Sequence, residues 1–265
     1  MKVYISADIE GTAGITHWDE ATKTHDTYAE FREQMTAEVV AACEGAIAAG
    51  AREILIKDAH GSGRNIIAKH LPDCARLIRG WSGHPFCMVQ EIDASFDAAM
   101  FIGYHSKAGA EGNPLAHTLT LDVSHIELNG KRMSEFVMHS YAAALVGVPV
   151  VFISGDKGIC ADARAFNRKI GTVATSEGKG RSTISIPPLL AVNRIREGVT
   201  AALNGNVAAC KVKLPKQFKI DVAYATPTEA YRNAWYPGAK HVGRRTVRYE
   251  SRDYFEVLRA LRFIA

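Results

Sequence analysis

The stretch "MKVYISADIEGTAGI" (1–15) begins as an apolar strand and ends on two acids, Asp8 and Glu10, with Gly11 directly behind them. Side chains alternate between the two faces of a strand at about 3.3 Å per residue, so positions two apart share a face about 6–7 Å from one another. Asp8 and Glu10 therefore point the same way at the end of a strand that reads as buried. Like charges held that close repel, and a bound cation is the compensation to look for.

The same grammar returns downstream. "REILIKDAH" (52–60) is an apolar run ending in Asp58 and His60, "AAMFIGYH" (98–105) ends in His105, and "VPVVFISGD" (148–156) ends in Asp156. Helical segments are expected at 28–49, around 64–70, at 134–146 and after 156. Strands alternating with helices predict a mainly parallel sheet flanked by helices. "LAHTLTLDVSHIELNGKRMSE" (115–135) departs from that pattern, because alternating runs flank Asn129-Gly130, the dipeptide favoured in two-residue hairpin turns. It is read as an inserted β-hairpin.

Beyond residue 170 the pattern weakens. "TVATSEGKGRSTISIPP" (172–188) reads as a polar loop or hinge, followed by a helix at 189–205, a strand at 218–225 and a last helix at 254–265. The expected fold is α/β: a mainly parallel sheet with an inserted hairpin, plus a smaller C-terminal α/β region. The division falls at 1–180 for a metal-binding α/β catalytic domain and 181–265 for the smaller region.

At 265 residues, 47% apolar and 23% charged, the chain has the composition of a globular protein with a substantial core. A net charge of +4 is too small at this length to argue for nucleic acid as a partner. The five cysteines are scattered and form no C-x-x-C pair, so neither a disulfide framework nor a zinc knuckle is expected, and a reducing cytoplasm fits. Asp8 and Glu10 interrupt the only early apolar run, and no later run approaches a membrane span, so neither export nor membrane insertion is expected.

In open α/β sheets ligands sit beyond the carboxyl ends of the strands, which is where Asp8, Glu10, Asp58, His60, His105 and Asp156 fall. Each alone has a structural explanation: a strand-end Asp caps turns and helices, and a lone His is often satisfied within the core. Together they would converge on one rim. Carboxylates and imidazoles without thiolates suit zinc, manganese or iron and disfavour calcium, so zinc is the first expectation. More than four donors suggest two ions, which stand about 3.5–4 Å apart in hydrolases and share a bridging carboxylate. Asp8, nearest the sheet, is positioned to bridge. Asp58 is placed to orient the His60 ring as a hydrogen-bond acceptor, and for Asp156 capping of the following helix is the preferred reading.

"SADIEG", "KDAHG", "GYH", "AHTLTL" and "MSEF" follow one another in this order along residues 1–160. This ordered set resembles the D-aminopeptidases of the bacterial dipeptide-transport operon, metallopeptidases that form ring-shaped homo-oligomers. The resemblance implies a dinuclear zinc site in which Asp8 bridges, Glu10 and His60 complete one metal, and His105 and Glu135 complete the other. Strand ends alone indicate four of these. Glu135 reads locally as a first-turn acid complementing the helix dipole. The resemblance also makes His117 a catalytic histidine close to the metals, where its local reading is a strand histidine bonded to a backbone carbonyl. His17, His25, His70, His84, His125, His139 and His241 are assigned to loops, helix surfaces or the outer side of the hairpin.

The resemblance implies short peptides as substrates, removal of an N-terminal residue with D preference, and a closed homo-oligomer, expected to be a decamer. A dinuclear phosphoesterase and a non-enzymatic metal-binding oligomer remain open as alternatives. "EGKGR" (177–181) lacks the spacing of a phosphate-binding loop and is read as flexible, and "GRRTVRYESR" (243–252) is read as a solvated face or subunit contact. The segment 10–26 is expected to cover the site.

Overall fold

The computed structural model describes all 265 residues. Strands β1 (Lys2–Ala7), β2 (Glu53–Asp58), β3 (Ala75–Ile78) and β4 (Ala98–Tyr104) form one half of a large sheet. The helices between them are α1 (Trp18–Ala21) and the long α2 (Tyr28–Ala48). Strands β5 (Val123–Leu128) and β6 (Lys131–Arg132) then precede α3 (Glu135–Leu145), β7 (Val150–Asp156) and α4 (Lys157–Phe166). A hairpin of β8 (Gly171–Lys179) and β9 (Ser182–Ser185) leads into α5 (Pro188–Asn204). The chain closes with β10 (Phe218–Tyr224), α6 (Pro227–Asn233), β11 (Lys240–Gly243), β12 (Thr246–Ser251) and α7 (Tyr254–Ile264).

The large sheet runs β3-β2-β1-β4-β7-β8-β9, parallel throughout except for β9. Its middle strands are buried on both faces, which is why β1, β4 and β7 are spelled as apolar runs. β1 and the central β4 are neighbours, and the order reverses between them, so the crevice at their carboxyl ends is the switch point where a ligand is expected. Two glycines make that crossing possible. The Gly11 N–H donates to the Gly103 carbonyl at 2.8 Å. A Cβ on Gly11 would sit 1.8 Å from the Tyr104 oxygen, and one on Gly103 (φ 71°) would sit 2.3 Å from the Asp8 oxygen. Only glycine fits at either point, and their contact folds the turn after β1 over the end of β4.

The second sheet is antiparallel, in the order β11-β12-β10-β5-β6. The Asn129-Gly130 turn joins β5 to β6 with positive φ at both residues (52° and 79°), as the hairpin reading expects. Residues 115–122, however, are irregular and only β5 and β6 are strands. One core of 65 buried residues unites both sheets, with Val3 and Phe152 from the first and Val222 and Val247 from the second.

The segment 172–188 corrects the sequence reading, because it holds β8 and β9 and is not a hinge. Residue 180 lies in the turn of that hairpin, within the large sheet, and the second sheet takes strands from both sides of it. The polarity that suggested a loop fastens the strands to the site. Thr175 Oγ1 donates to the Gly11 carbonyl at 2.6 Å, Ser185 Oγ accepts from the Gly14 N–H at 2.8 Å, and the Gly178 N–H donates to Gly112. The short β3 and the elements β11, β12 and α6 were not expected. No helix is long and apolar enough to cross a membrane.

Candidate metal centre

Asp8, Glu10, His60, His105 and Glu135 are all buried and meet at the switch point. His60 Nδ1 lies 3.0 Å from Glu10 Oε2 and 3.4 Å from Asp8 Oδ1. His105 Nε2 lies 3.5 Å from Asp8 Oδ2 and 3.4 Å from Glu135 Oε2. The two oxygens of Asp8 thus face different imidazoles.

The histidine rings are oriented by backbone carbonyls. His60 Nε2 is 2.7 Å from the Ala21 oxygen and His105 Nδ1 is 2.9 Å from the Ser106 oxygen. A carbonyl only accepts, so these nitrogens carry the protons and the opposite ones turn lone pairs toward the acids. His105 Nε2 is buried without a hydrogen-bond partner. A lone pair directed at carboxylate oxygens is unfavourable unless a cation or an additional proton lies between them. The donors fall into two groups, Asp8–Glu10–His105 and His105–His117–Glu135, with ligand atoms in each within 4.8 Å of one another. Three carboxylates with imidazoles and no thiolate fit zinc or a similar divalent ion.

The charges lean the same way. Burial and the neighbouring Glu10 charge push the Asp8 carboxyl well above its ordinary range. Burial also works against charge on Glu10, but the imidazoles of His60, His117 and His105 overcome it and hold that carboxyl low. Glu135 falls to about 2, because His105, His117 and the Leu119 N–H outweigh its burial. His60 and His105 are pushed up, since Glu10 and Glu135 respectively, with Asp8, outweigh desolvation. One carboxyl carrying an unfavourable charge beside two imidazoles that favour protonation is what a divalent ion would relieve.

Glu135 reaches the cluster from the first turn of α3, where Ser134 caps the helix. Its Oε1 accepts the Leu119 N–H at 2.6 Å, and Leu119 is held at φ 64°, unusual for a branched residue and a sign of imposed backbone strain. His117 stacks on His105 at 4.2 Å between centroids, and its Nε2 is 4.0 Å from Glu135 Oε1. Its Nδ1 bonds the Leu115 carbonyl at 2.9 Å, though from an irregular segment and not a strand. Burial and the His105 charge hold His117 below the ordinary histidine value.

Two neighbouring acids serve the backbone. Asp58 does not bond the His60 ring, contrary to expectation. It accepts from the N–H groups of Asn65 and Ile66 and from the Asn65 side chain, which also donates to the His60 carbonyl at 2.7 Å. It therefore fixes the turn that carries His60. Asp156 caps α4 through the Ile159 N–H, as expected, and also holds Ser106, the residue after His105. His139 lies in the core and not on a helix surface, where burial pulls it down to about 4.

A cavity of about 450 Å³ opens over the cluster, walled by Trp18, Trp81, Met88, Leu119 and Leu121. Trp18 comes from the 10–26 segment, which therefore lines the site. Trp81 donates its indole N–H to the Gly61 carbonyl at 2.8 Å and lies over the buried Lys57 ammonium, 3.8 Å from its ring centroid. Burial brings that lysine down to about 8. Neither tryptophan is marked by the sequence, because Trp18 opens the four-residue α1 and Trp81 sits in a loop, both too short to show a period.

A family model described as D-aminopeptidase matches residues 1–263. A D-aminopeptidase of Bacillus subtilis (strain 168) is 27% identical over 263 residues, covering 98% of this chain and 95% of that protein. Among solved structures, the Zn-dependent D-aminopeptidase DppA from Bacillus subtilis, described as a self-compartmentalizing protease, superposes with a TM-score of 0.93 at 25% identity. That match covers 100% of this chain and 96% of the other.

Proposed function

Because this chain belongs to the D-aminopeptidase family, we propose that it is a dinuclear zinc aminopeptidase that removes the N-terminal residue of short peptides, preferring a D residue there. The observation that carries the reading is the split of Asp8 between His60 and His105, with His105 Nε2 buried and unpartnered. Glu10 and His60 would hold one ion and His105 and Glu135 the other, with Asp8 between them. A pair of divalent ions in such a site polarises a carbonyl and lowers the pKa of water toward 7.

The remaining work falls to this chain's own groups. His117, neutral at neutral pH and open at Nε2, takes a proton there and returns it to the departing amine. The Leu119 N–H holds Glu135 Oε1, leaving Oε2 turned toward His105. Trp18 and Trp81 wall the cavity and limit water around the scissile bond. The self-compartmentalizing relative supports a closed homo-oligomer, taken as a decamer in the cytoplasm, and light scattering of the purified protein tests it.

The decisive experiment combines metal analysis with a panel of D- and L-aminoacyl peptides. About two zinc ions per chain and faster release of D residues are expected. Phosphate release from a generic ester without peptide hydrolysis would move the site to the phosphoesterases, and no hydrolysis of either would leave a metal store.

A further inference from the structure

One wall of the cavity carries a cation that the carboxylate cluster does not use. Arg262, on α7, lines the same enclosure as Asp8, Glu10, His60, His117 and Glu135. Its guanidinium contacts Cys87 Sγ at 3.7 Å and enters no ion pair, whereas Arg259, one turn earlier on α7, is paired with Glu256. Cys87 supplies no countercharge, because burial pushes its thiol up. Met88, Leu119, Leu121 and Trp81 give the same enclosure apolar walls.

This polarity has a matching ligand. A peptide with a free amine and a free carboxylate is a zwitterion, and two residues span at most about 7 Å. The carboxylates of Asp8, Glu10 and Glu135 are engaged at the metal end, and the apolar walls offer a peptide's carboxylate no countercharge. Arg262 is the one permanent cation on the lining, and its planar fork matches a carboxylate through two parallel hydrogen bonds.

We propose that Arg262 receives the C-terminal carboxylate of a dipeptide substrate and so ranks dipeptides above longer peptides and above peptides with a blocked C-terminus. The proposal rests on the aminopeptidase reading of the same site. It makes Arg262 a specificity residue, with no part in bond breaking.

The test compares kcat/KM for one apolar dipeptide and for its C-terminal amide on the zinc-loaded enzyme, on Arg262→Gln and on Arg262→Lys. The unaltered enzyme is expected to favour the free acid by about tenfold or more, mainly through KM, the scale of one charge-assisted hydrogen bond. In Arg262→Gln the acid-to-amide ratio should collapse to within about twofold, and Arg262→Lys should restore part of it. Equal cleavage of acid and amide by the unaltered enzyme overturns the proposal, as does a ratio left intact in Arg262→Gln. Should that variant fail to fold, the ratio in the unaltered enzyme and in Arg262→Lys decides. Cleavage of both substrates without preference defeats this proposal alone, whereas cleavage of neither defeats the aminopeptidase reading together with it.

Discussion

Replacing Asp8 with asparagine should make the metal-free protein more stable and the zinc-loaded protein less stable than the unaltered chain, so that the order of melting temperatures inverts between the two states. In the metal-free protein the Asp8 carboxyl is pushed up by burial and by Glu10. Between its unfolded value near 4 and its raised folded value, the folded chain holds a proton that the unfolded chain releases. Stability then falls by about 1.36 kcal/mol for each pH unit across that window. The raised imidazoles of His60 and His105 act with the same sign, since their contribution is complete below about 6.5 and is lost as pH rises through their folded values. Glu10 and Glu135, held low, contribute fully above their ordinary range and lose that contribution only as pH falls toward their folded values. From about pH 5 to 8 the metal-free protein should therefore lose stability as pH rises.

The carboxamide introduced by Asp8→Asn removes the charge and places an N–H near the unpartnered His105 Nε2, now 3.5 Å from Asp8 Oδ2. Each kcal/mol of charge burial relieved in this way raises Tm by about 2–4 °C for a chain of this size. With zinc at a hundredfold excess over Kd the unaltered protein gains about 2.7 kcal/mol, and the variant, lacking the shared oxygen, gains less. Differential scanning fluorimetry at pH 7.5, in chelator and in zinc, reads both states. A variant destabilised by the same margin in each would refute the reasoning, because Asp8 would then matter through packing and not through charge.

His117→Ala should keep its metal content by elemental analysis while peptide turnover falls about 10²- to 10⁴-fold, the usual contribution of a general acid-base group; normal turnover would remove His117 from the mechanism. Glu135→Gln should lower zinc stoichiometry from about two to about one per chain, since one of the two sites loses its charged donor; two tightly held ions in this variant would exclude Glu135 as a ligand. Asp58→Asn should lower stability by about 1–3 kcal/mol in urea unfolding, because one of the buried donors on Asn65 or Ile66 would face another donor. An unchanged urea midpoint would show that the turn after β2 does not depend on that carboxylate.

The central strands were legible because burial on both faces leaves no alternative to apolar runs, as in "KVYISA" and "AAMFIGY". The same logic failed for β8, where Thr175 is fully buried yet polar. Its hydroxyl is satisfied by the Gly11 carbonyl, a partner that exists only once β1 and β8 are folded, so the residue looks like a loop residue in isolation. β3 was missed for a different reason: four residues at the edge of the sheet, three half-buried and Arg76 exposed, are too few to show a period.

At the site, the donors that came through were those placed by a strand end, where the sheet itself sets direction. Glu135 and Arg262 stand on helices that return to the switch point only through the second sheet and α7, and nothing local distinguishes them from a first-turn acid and a surface cation. Asp58 shows the opposite error. Two residues before a histidine on an extended run, it looked aimed at the ring, but the chain turns immediately after His60 and offers three N–H donors at close range. A carboxylate beside a turn is captured by that turn's own donors before any more distant group can compete. The His60 ring was left to the Ala21 carbonyl, and a backbone oxygen has no residue type by which a sequence could announce it. Orientation of a metal-binding imidazole is therefore the part of such a site that local reading recovers least, and here it depends on Ala21, the last residue of α1 in the 10–26 segment, reaching the turn after β2.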